Sequence, residues 1–495
     1  MANVIPFGLG SWVFIVIYLL SLIGIGFLAK KSKKDNSLDD YYLAGRGFGP
    51  FVLVLTLYAT QYSGNSVFGV AGNAYRLGFD WLIGVHYMLA IVICYLIFAG
   101  RLFDVASKHK FLTPSDFLRH RYQSSGLCLL ASVIMIVCLS NYFLAQLMTM
   151  GRAFQGLSGV HGDIAYYYGV VVLALIMVIY GTIGGIRAVA WTDIIQGTVL
   201  LLGLIFLLFL INNELGSIEK ATQLIQSQIG SSIMQRPSND MLRQWFSYLI
   251  VIGLGGALYP QAIQRIYSAE SKESLYKSLS VMSFLPYTTA LIALIAGIYA
   301  LAFIPGLEGS NADQALSSLL RLMQETSIIA NMLVVLIFGA FLAALMSTAD
   351  SAMLSIGSMF TKDIYKHHLQ KNTPDEELAY VGKRVTWGLV VILVIIAILL
   401  KDHASLISLI DRKFDLLVQL SPAFILGLYV PSLKGRYVLM GLILGTVIAL
   451  FLAFAPLTFV TSGKIYGFHP GVVALPFNLL IALLGSFVSN KTNEG

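Results

Sequence analysis

The sequence predicts an all-α polytopic membrane protein with about 13 transmembrane helices, on three observations. Of 495 residues, 57% are hydrophobic and only 12% charged, about half the ~25% charge of a soluble domain. Mean hydropathy is +0.79. Apolar runs of spanning length recur along the whole chain, separated mostly by short loops. Together these exclude a soluble enzyme, a disordered chain and a disulfide scaffold. An outer-membrane barrel is excluded too, because its strands alternate in polarity.

A spanning helix needs about 20 mostly apolar residues to cross the hydrocarbon core. Thirteen stretches qualify: 10–29, 50–72, 79–100, 125–156, 164–184, 191–212, 243–262, 275–303, 327–357, 382–400, 404–429, 436–457 and 469–488. We number them helices 1 to 13. Helix 1 follows an uncharged tail and is itself followed by Lys30, Lys31, Lys33 and Lys34. A signal peptide carries its basic residues before the apolar run, so helix 1 reads as a retained anchor. The longer polar connections are 30–49, 101–124, 213–242, 304–326 and 358–381. No second soluble domain fits between the helices. Cys94, Cys128 and Cys138 lie in apolar stretches without ligand spacing and read as small buried hydrophobes.

Most of the 32 Lys and Arg follow helices 1, 3, 5, 7, 9 and 11 or lie in the C-terminal tail. The opposite side holds Arg76, Lys220, Arg236, Arg243, Arg321, Lys401 and Lys464. The positive-inside rule then places the N-terminus outside and the C-terminus in the cytoplasm. Basic residues spread over many inner loops give no nucleic-acid patch, so the net charge of +7 marks orientation. The partners expected are the lipid bilayer and a small-molecule solute; the sequence carries no signal of oligomeric state.

Two spans carry helix-weakening sequence near mid-membrane. Helix 2 holds Thr60, Gln61, Ser63, Gly64, Asn65 and Ser66; helix 7 holds Gly253, Gly255, Gly256 and Pro260. Backbone freed at that depth must line a protein-enclosed cavity or be satisfied by neighbouring helices. Either span alone reads as well as a packing kink. Their separation is five helices, so helices 2–6 and 7–11 form two repeats of odd length and opposite orientation. That is the inverted-repeat plan of many secondary transporters, with the site at the interrupted helices. It divides the chain into 1–49 (first helix and inner loop), 50–212 and 213–429 (the two five-helix repeats), and 430–495 (two further helices and a short tail).

Helix 9 contains AALMSTADSAML, residues 343–354, with Ser347 and Thr348 adjacent and Ser351 and Ser355 following at four-residue spacing. Sodium, a hard cation, prefers oxygen ligands. Two hydroxyls facing carbonyls freed in helix 2 would make a small neutral cage. Back-bonding of each hydroxyl to its own helix is the structural alternative.

AALMSTADS with TKDIYK (361–366) resembles the sodium:solute symporter family, which includes bacterial proline, pantothenate, sialic acid and sugar symporters. DDYYLAGRGFGPFV (39–52), IYGTIGGIRAVAWTDIIQG (179–197) and GLGGALYPQAIQRIYSA (253–269) are similar to that family as well. The resemblance runs from helix 2 to helix 9 and implies a LeuT-like fold with sodium as the coupling ion. It implies a sodium site formed by the carbonyls of Ala59, Tyr62 and Ala344 with the hydroxyls of Ser347 and Thr348. Asp193, at the inner start of helix 6, matches a carboxylate that helps sodium leave; an interfacial acid favoured by the helix dipole is the alternative. The implied substrate site comprises Gln61, Ser63 and Ser66, His86 and Tyr87 on helix 3, Asn141 on helix 4, and Gly256 and Pro260 on helix 7. Packing or interhelical hydrogen bonding would also account for Tyr87, His86 and Asn141. Gln61 departs from the proline symporters, which carry Asp at the matching position.

Helix 11 places Asp411, Arg412, Lys413 and Asp415 inside an otherwise apolar span, where each charge costs several kcal/mol unless paired or wetted. Arg412 and Lys413 read as the only cations well inside a span. The cluster is either a gate whose charges pair with one another, the reading favoured here, or a grip for a substrate carboxylate. YGFHPGVVALPFNLLIALLG (466–485) is similar to the pantothenate branch. The expectation is a sodium-coupled symporter for a small organic carboxylate, with amino acids and then sugars or sialic acid as alternatives. Proton coupling through Asp350 or Asp193 remains open. No HExxH or GxSxG motif suggests an intramembrane enzyme, and only a short tail after Ser489 is available for a signalling domain.

Overall fold

A computed structural model describes residues 8–32, 37–157, 163–230, 237–370, 372–401, 406–455, 460–461 and 463–491. The N-terminal tail, Lys33, Lys34, Arg236, the starts of helix 11 and the C-terminal residues after 491 lie outside the described residues, as does the expected end of helix 12 at 457. Each of the thirteen apolar stretches is mostly helical where described. Among the described residues, nine helices are long and apolar enough to cross a membrane, or ten with the bent pair Asn239–Ala257 and Pro260–Ser268.

The difference from thirteen has local causes. Helices 5 and 6 run together as Asp163–Leu215, bent at Gly185, whose φ of 60° and ψ of −150° favour glycine. The C-terminal half of helix 2 likewise joins helix 3 through a short 3₁₀ segment, Gly78–Leu82. Helix 11 is divided among Leu406–Leu417 and short 3₁₀ and π segments. The polar connections also hold helices the hydropathy pattern does not reveal, including Leu38–Leu43, Pro114–Tyr122, Ile218–Gln228 and Ala315–Gln324. Pro114–Tyr122 starts with a capping box between Thr113 and Asp116, which satisfies amide groups that helix geometry leaves open.

Helix 9, Ile328–Met359, is central, packed against helices 4, 5 and 6. Its residues from Val334 to Met359 are buried apart from Leu336, so it is apolar all round and lacks a lipid-facing stripe. Helices 3 and 7 pack together, as do helices 12 and 13. The two interrupted helices are tied at one end: Phe48 donates its amide to the Ser268 carbonyl at 3.0 Å, and Glu270 donates to Phe48 at 3.1 Å. This joins the entry to helix 2 with the exit from helix 7.

Candidate functional site

Both expected interruptions are present. The N-terminal half of helix 2, Pro50–Gln61, stops at Tyr62, where φ is −97° and ψ 87°. In a continuous helix the Ala59 carbonyl would accept the Ser63 amide. That amide instead points to Ser66 Oγ at 3.3 Å, and Ser66 returns its amide to Ser63 Oγ at 3.3 Å. Gly64 brings the break against helix 9, because a Cβ there would stand 2.0 Å from Leu345 Cδ2. Helix 7 breaks at Leu258 and Tyr259, bends by 49° and resumes with Pro260, which needs no amide partner at a helix start.

Helix 9 fills the space beside the helix 2 break. Ser347 Oγ donates to the carbonyls of Ala59 and Ala344, both at 3.1 Å, and Thr348 Oγ1 donates to Ala59 at 2.9 Å. Four of the five oxygen-bearing residues expected at the cation site therefore meet. The fifth, Tyr62, is buried at the break itself, its ring 5.0 Å from Tyr58. Both hydroxyls reach Ala59 on another helix, so local back-bonding, which Ser347 also makes to Ala344, does not by itself account for them. The cluster presents neutral oxygens, the donor set a monovalent hard cation takes.

Next to it lies a cavity of about 40 Å³, lined by Gln61, Ser63 and Ser66 of helix 2, Tyr87 of helix 3, and Lys413 and Phe414 of helix 11, among others. Gln61 Nε2 donates to Tyr95 Oη and, at 3.3 Å, to the Gly256 carbonyl at the helix 7 break. Pro260 is buried immediately beyond that break. Tyr142 and Tyr259 also line the cavity and stack at 5.1 Å, 13° from parallel.

Two expected residues are elsewhere. His86 is exposed, its ring 6.3 Å from Trp245, because it sits one residue from Tyr87 and so about 100° around helix 3. Asn141 lines a separate cavity of about 190 Å³ between helices 4, 11 and 12, with Arg412 and Asp415; Lys413 borders both cavities.

The helix 11 cluster divides. Arg412 pairs with Asp415 at 3.5 Å, and Asp415 Oδ1 accepts the Gly471 amide at 2.7 Å. Asp411 faces Lys464 and His469, each at 3.6 Å, and accepts from Tyr248 at 3.3 Å. These three form a network that holds helix 11 to the segment before helix 13. Lys413 stands apart. It is 3% exposed, its Nζ lies 3.5 Å from the Tyr142 ring centroid and 4.9 Å from that of Phe414, and no carboxylate among the described residues is within ion-pair distance. Mutual pairing within the cluster thus holds for Arg412 and Asp415, while Asp411 pairs with Lys464 and His469 outside it, and it fails for Lys413.

Asp193 lies shortly after the kink at Gly185, near the start of helix 6, and is fully buried, accepting from Thr56 at 2.5 Å and facing Arg265 at 3.5 Å. Arg265 corrects the sequence reading twice: it is on the second half of helix 7, not in a loop, and at 1% exposure it is a fully buried cation. Asp350 is also buried and accepts from Tyr180. Ser351 bonds to Thr60 at 3.2 Å, and Ser355 donates to Gln264 at 2.5 Å.

A neutral oxygen cluster and a largely apolar cavity meet at two interrupted helices, the arrangement expected of a secondary transporter. The chain belongs to the sodium:solute symporter family, whose model matches residues 41–445. It is 26% identical to a sodium/pantothenate symporter of Haemophilus influenzae over 97% of this chain and 96% of that one. It is 26% identical to the sodium/proline symporter of Escherichia coli over 80% of this chain and 78% of that one. Its fold matches that of a Na+-coupled sialic acid symporter with a TM-score of 0.80, covering 98% of each chain at 19% identity. The helical architecture, apart from a short hairpin of Val460–Thr461 and Lys464–Ile465, and the family expected from the motifs are thus borne out.

Proposed function

We propose that the protein imports a small organic carboxylate with sodium by alternating access, across a cytoplasmic membrane, with its N-terminus outside. One observation carries the reading: the segment of helix 2 around its break adjoins both the oxygen cluster and the cavity. Ala59 contributes its carbonyl to the oxygen cluster on helix 9, and Gln61, Ser63 and Ser66 line the adjoining cavity. An ion drawing on Ala59 fixes the backbone that presents those three side chains to the solute. Lys413 supports the carboxylate, since a buried ammonium held over aromatic faces lacks, among the described residues, the anion that would satisfy it best. The sodium/pantothenate relatives favour the same class.

The cavity holds roughly three waters at its present size, so a solute enters only after the helices around it move. That movement is the alternating-access step, in which the repeat 50–212 shifts against 213–429. Because coupling is reciprocal, sodium tightens solute binding and solute tightens sodium binding by the same factor. The measurement is solute binding in sodium and in choline at fixed pH, across a panel of labelled acids. Equal affinity in the two buffers, with tightening on acidification, would replace sodium by protons.

A further inference from the structure

One turn along helix 9 from the oxygen cluster, a fixed positive charge already occupies a second set of oxygens. Arg265, on the half of helix 7 that follows the break, donates from NH2 to Ser351 Oγ at 2.5 Å and faces Asp193 Oδ2 at 3.5 Å. Its Nε donates to Thr56 Oγ1 at 3.3 Å, and its NH1 to the Gln261 carbonyl at 3.4 Å. Ser351 also meets Thr60 Oγ1 at 3.2 Å, and Thr60 follows Ala59 directly. A run of oxygens therefore leads from Ala59, Ser347 and Thr348, through Thr60 and Ser351, to Thr56 and Asp193. The guanidinium stands across it, contacting Ser351, Thr56 and Asp193 at once.

We propose that Arg265 is a tethered cation that plugs the ion path between the oxygen cluster and Asp193. The inference rests on the sodium reading above. Sodium and the guanidinium compete for the same oxygens, and like charges exclude one another at close range in a medium of low dielectric. An ion in the cluster cannot descend to Asp193 while Arg265 holds it. Arg265 moves only with its half of helix 7, whose break at Leu258–Tyr259 adjoins the solute cavity through Tyr259. Release of the ion is therefore tied to rearrangement of the helix that lines the solute cavity. The plug makes sodium passage without solute slow.

The test uses the full chain in proteoliposomes and measures sodium-22 flux with no solute present, together with solute uptake under a sodium gradient. Arg265→Gln is expected to raise solute-independent sodium flux at least about tenfold and to lower the solute accumulated per sodium admitted. Arg265→Lys keeps a charge on the path and is expected to leak less than Gln. Arg265→Gln leaves Asp193 buried without its cation, so the double variant Arg265→Gln/Asp193→Asn is made alongside, with a melting curve for each. A rise in flux in the double variant supports the plug even where the single variant is poorly folded. Folded Gln variants with sodium flux as slow as wild type, and uptake merely reduced, overturn it and leave Arg265 as a packing residue. If wild-type uptake is itself sodium-independent, the sodium reading fails and not the plug alone.

Discussion

Ser347→Ala and Thr348→Ala are each expected to raise the sodium concentration for half-maximal uptake by about tenfold or more, leaving the protein folded. The site draws on about five neutral oxygens by the coordination logic of hard cations, so losing one removes a large share of the ion's ligands. A tenfold loss corresponds to about 1.4 kcal/mol, modest for one direct ligand. Folding survives because of a redundancy in the geometry. The Ala59 carbonyl accepts both hydroxyls, at 3.1 and 2.9 Å, so either variant leaves it one donor. The double variant leaves a buried carbonyl with neither and is expected to cost stability as well as affinity. Sodium titrations of uptake with matched melting curves make the distinction. Wild-type sodium dependence in both single variants would mean that the hydroxyls only stitch helix 9 to helix 2.

Apolar stretches and polar interruptions are one-dimensional properties, and these were legible. Hydropathy located the apolar helical stretches, though not the helices in the polar connections, and the run from Thr60 to Ser66 marked the break that Tyr62 makes. Adjacency across the bundle is three-dimensional, and there the sequence misleads in a regular way. Neighbouring residues on a helix point about 100° apart. Tyr87 lines the cavity while His86 is exposed, and Tyr142 lines it while Asn141 borders the other cavity. Arg412 and Lys413 follow the same rule, one entering an ion-pair network and the other the cavity wall. The burial of Asp193 and Arg265 was hidden for a related reason. Each reads as a polar residue at the edge of an apolar run, the usual mark of an interface. Their mutual contact, with Thr56 and Ser351, allows both to be buried. A titratable residue in each of two quoted motifs was the available signal, but nothing in one dimension pairs them.

Lys413→Gln is expected to weaken binding of the transported acid by about 10- to 100-fold while changing affinity for its uncharged amide little. A hydrogen bond to a charged group contributes about 1.5–3 kcal/mol, and tenfold in affinity is 1.4 kcal/mol. Lys413 is buried, so water competes little for the pair and most of that difference is available to discriminate acid from amide. The free protein tolerates the substitution because the ammonium now rests on the rings of Tyr142 and Phe414 and has no ion-pair partner to strand among the described residues. Arg412→Gln is the contrasting case. It removes the cation 3.5 Å from Asp415, whose Oδ2 has no hydrogen-bond partner and whose Oδ1 holds the Gly471 amide. Stranding that buried carboxylate lowers the melting temperature and weakens acid and amide alike. Competition by acid and amide against a labelled solute, with a melting curve for each variant, separates the two cations. Equal losses for acid and amide in Lys413→Gln would return Lys413 to the gate with its neighbour and remove the charge argument for a carboxylate substrate.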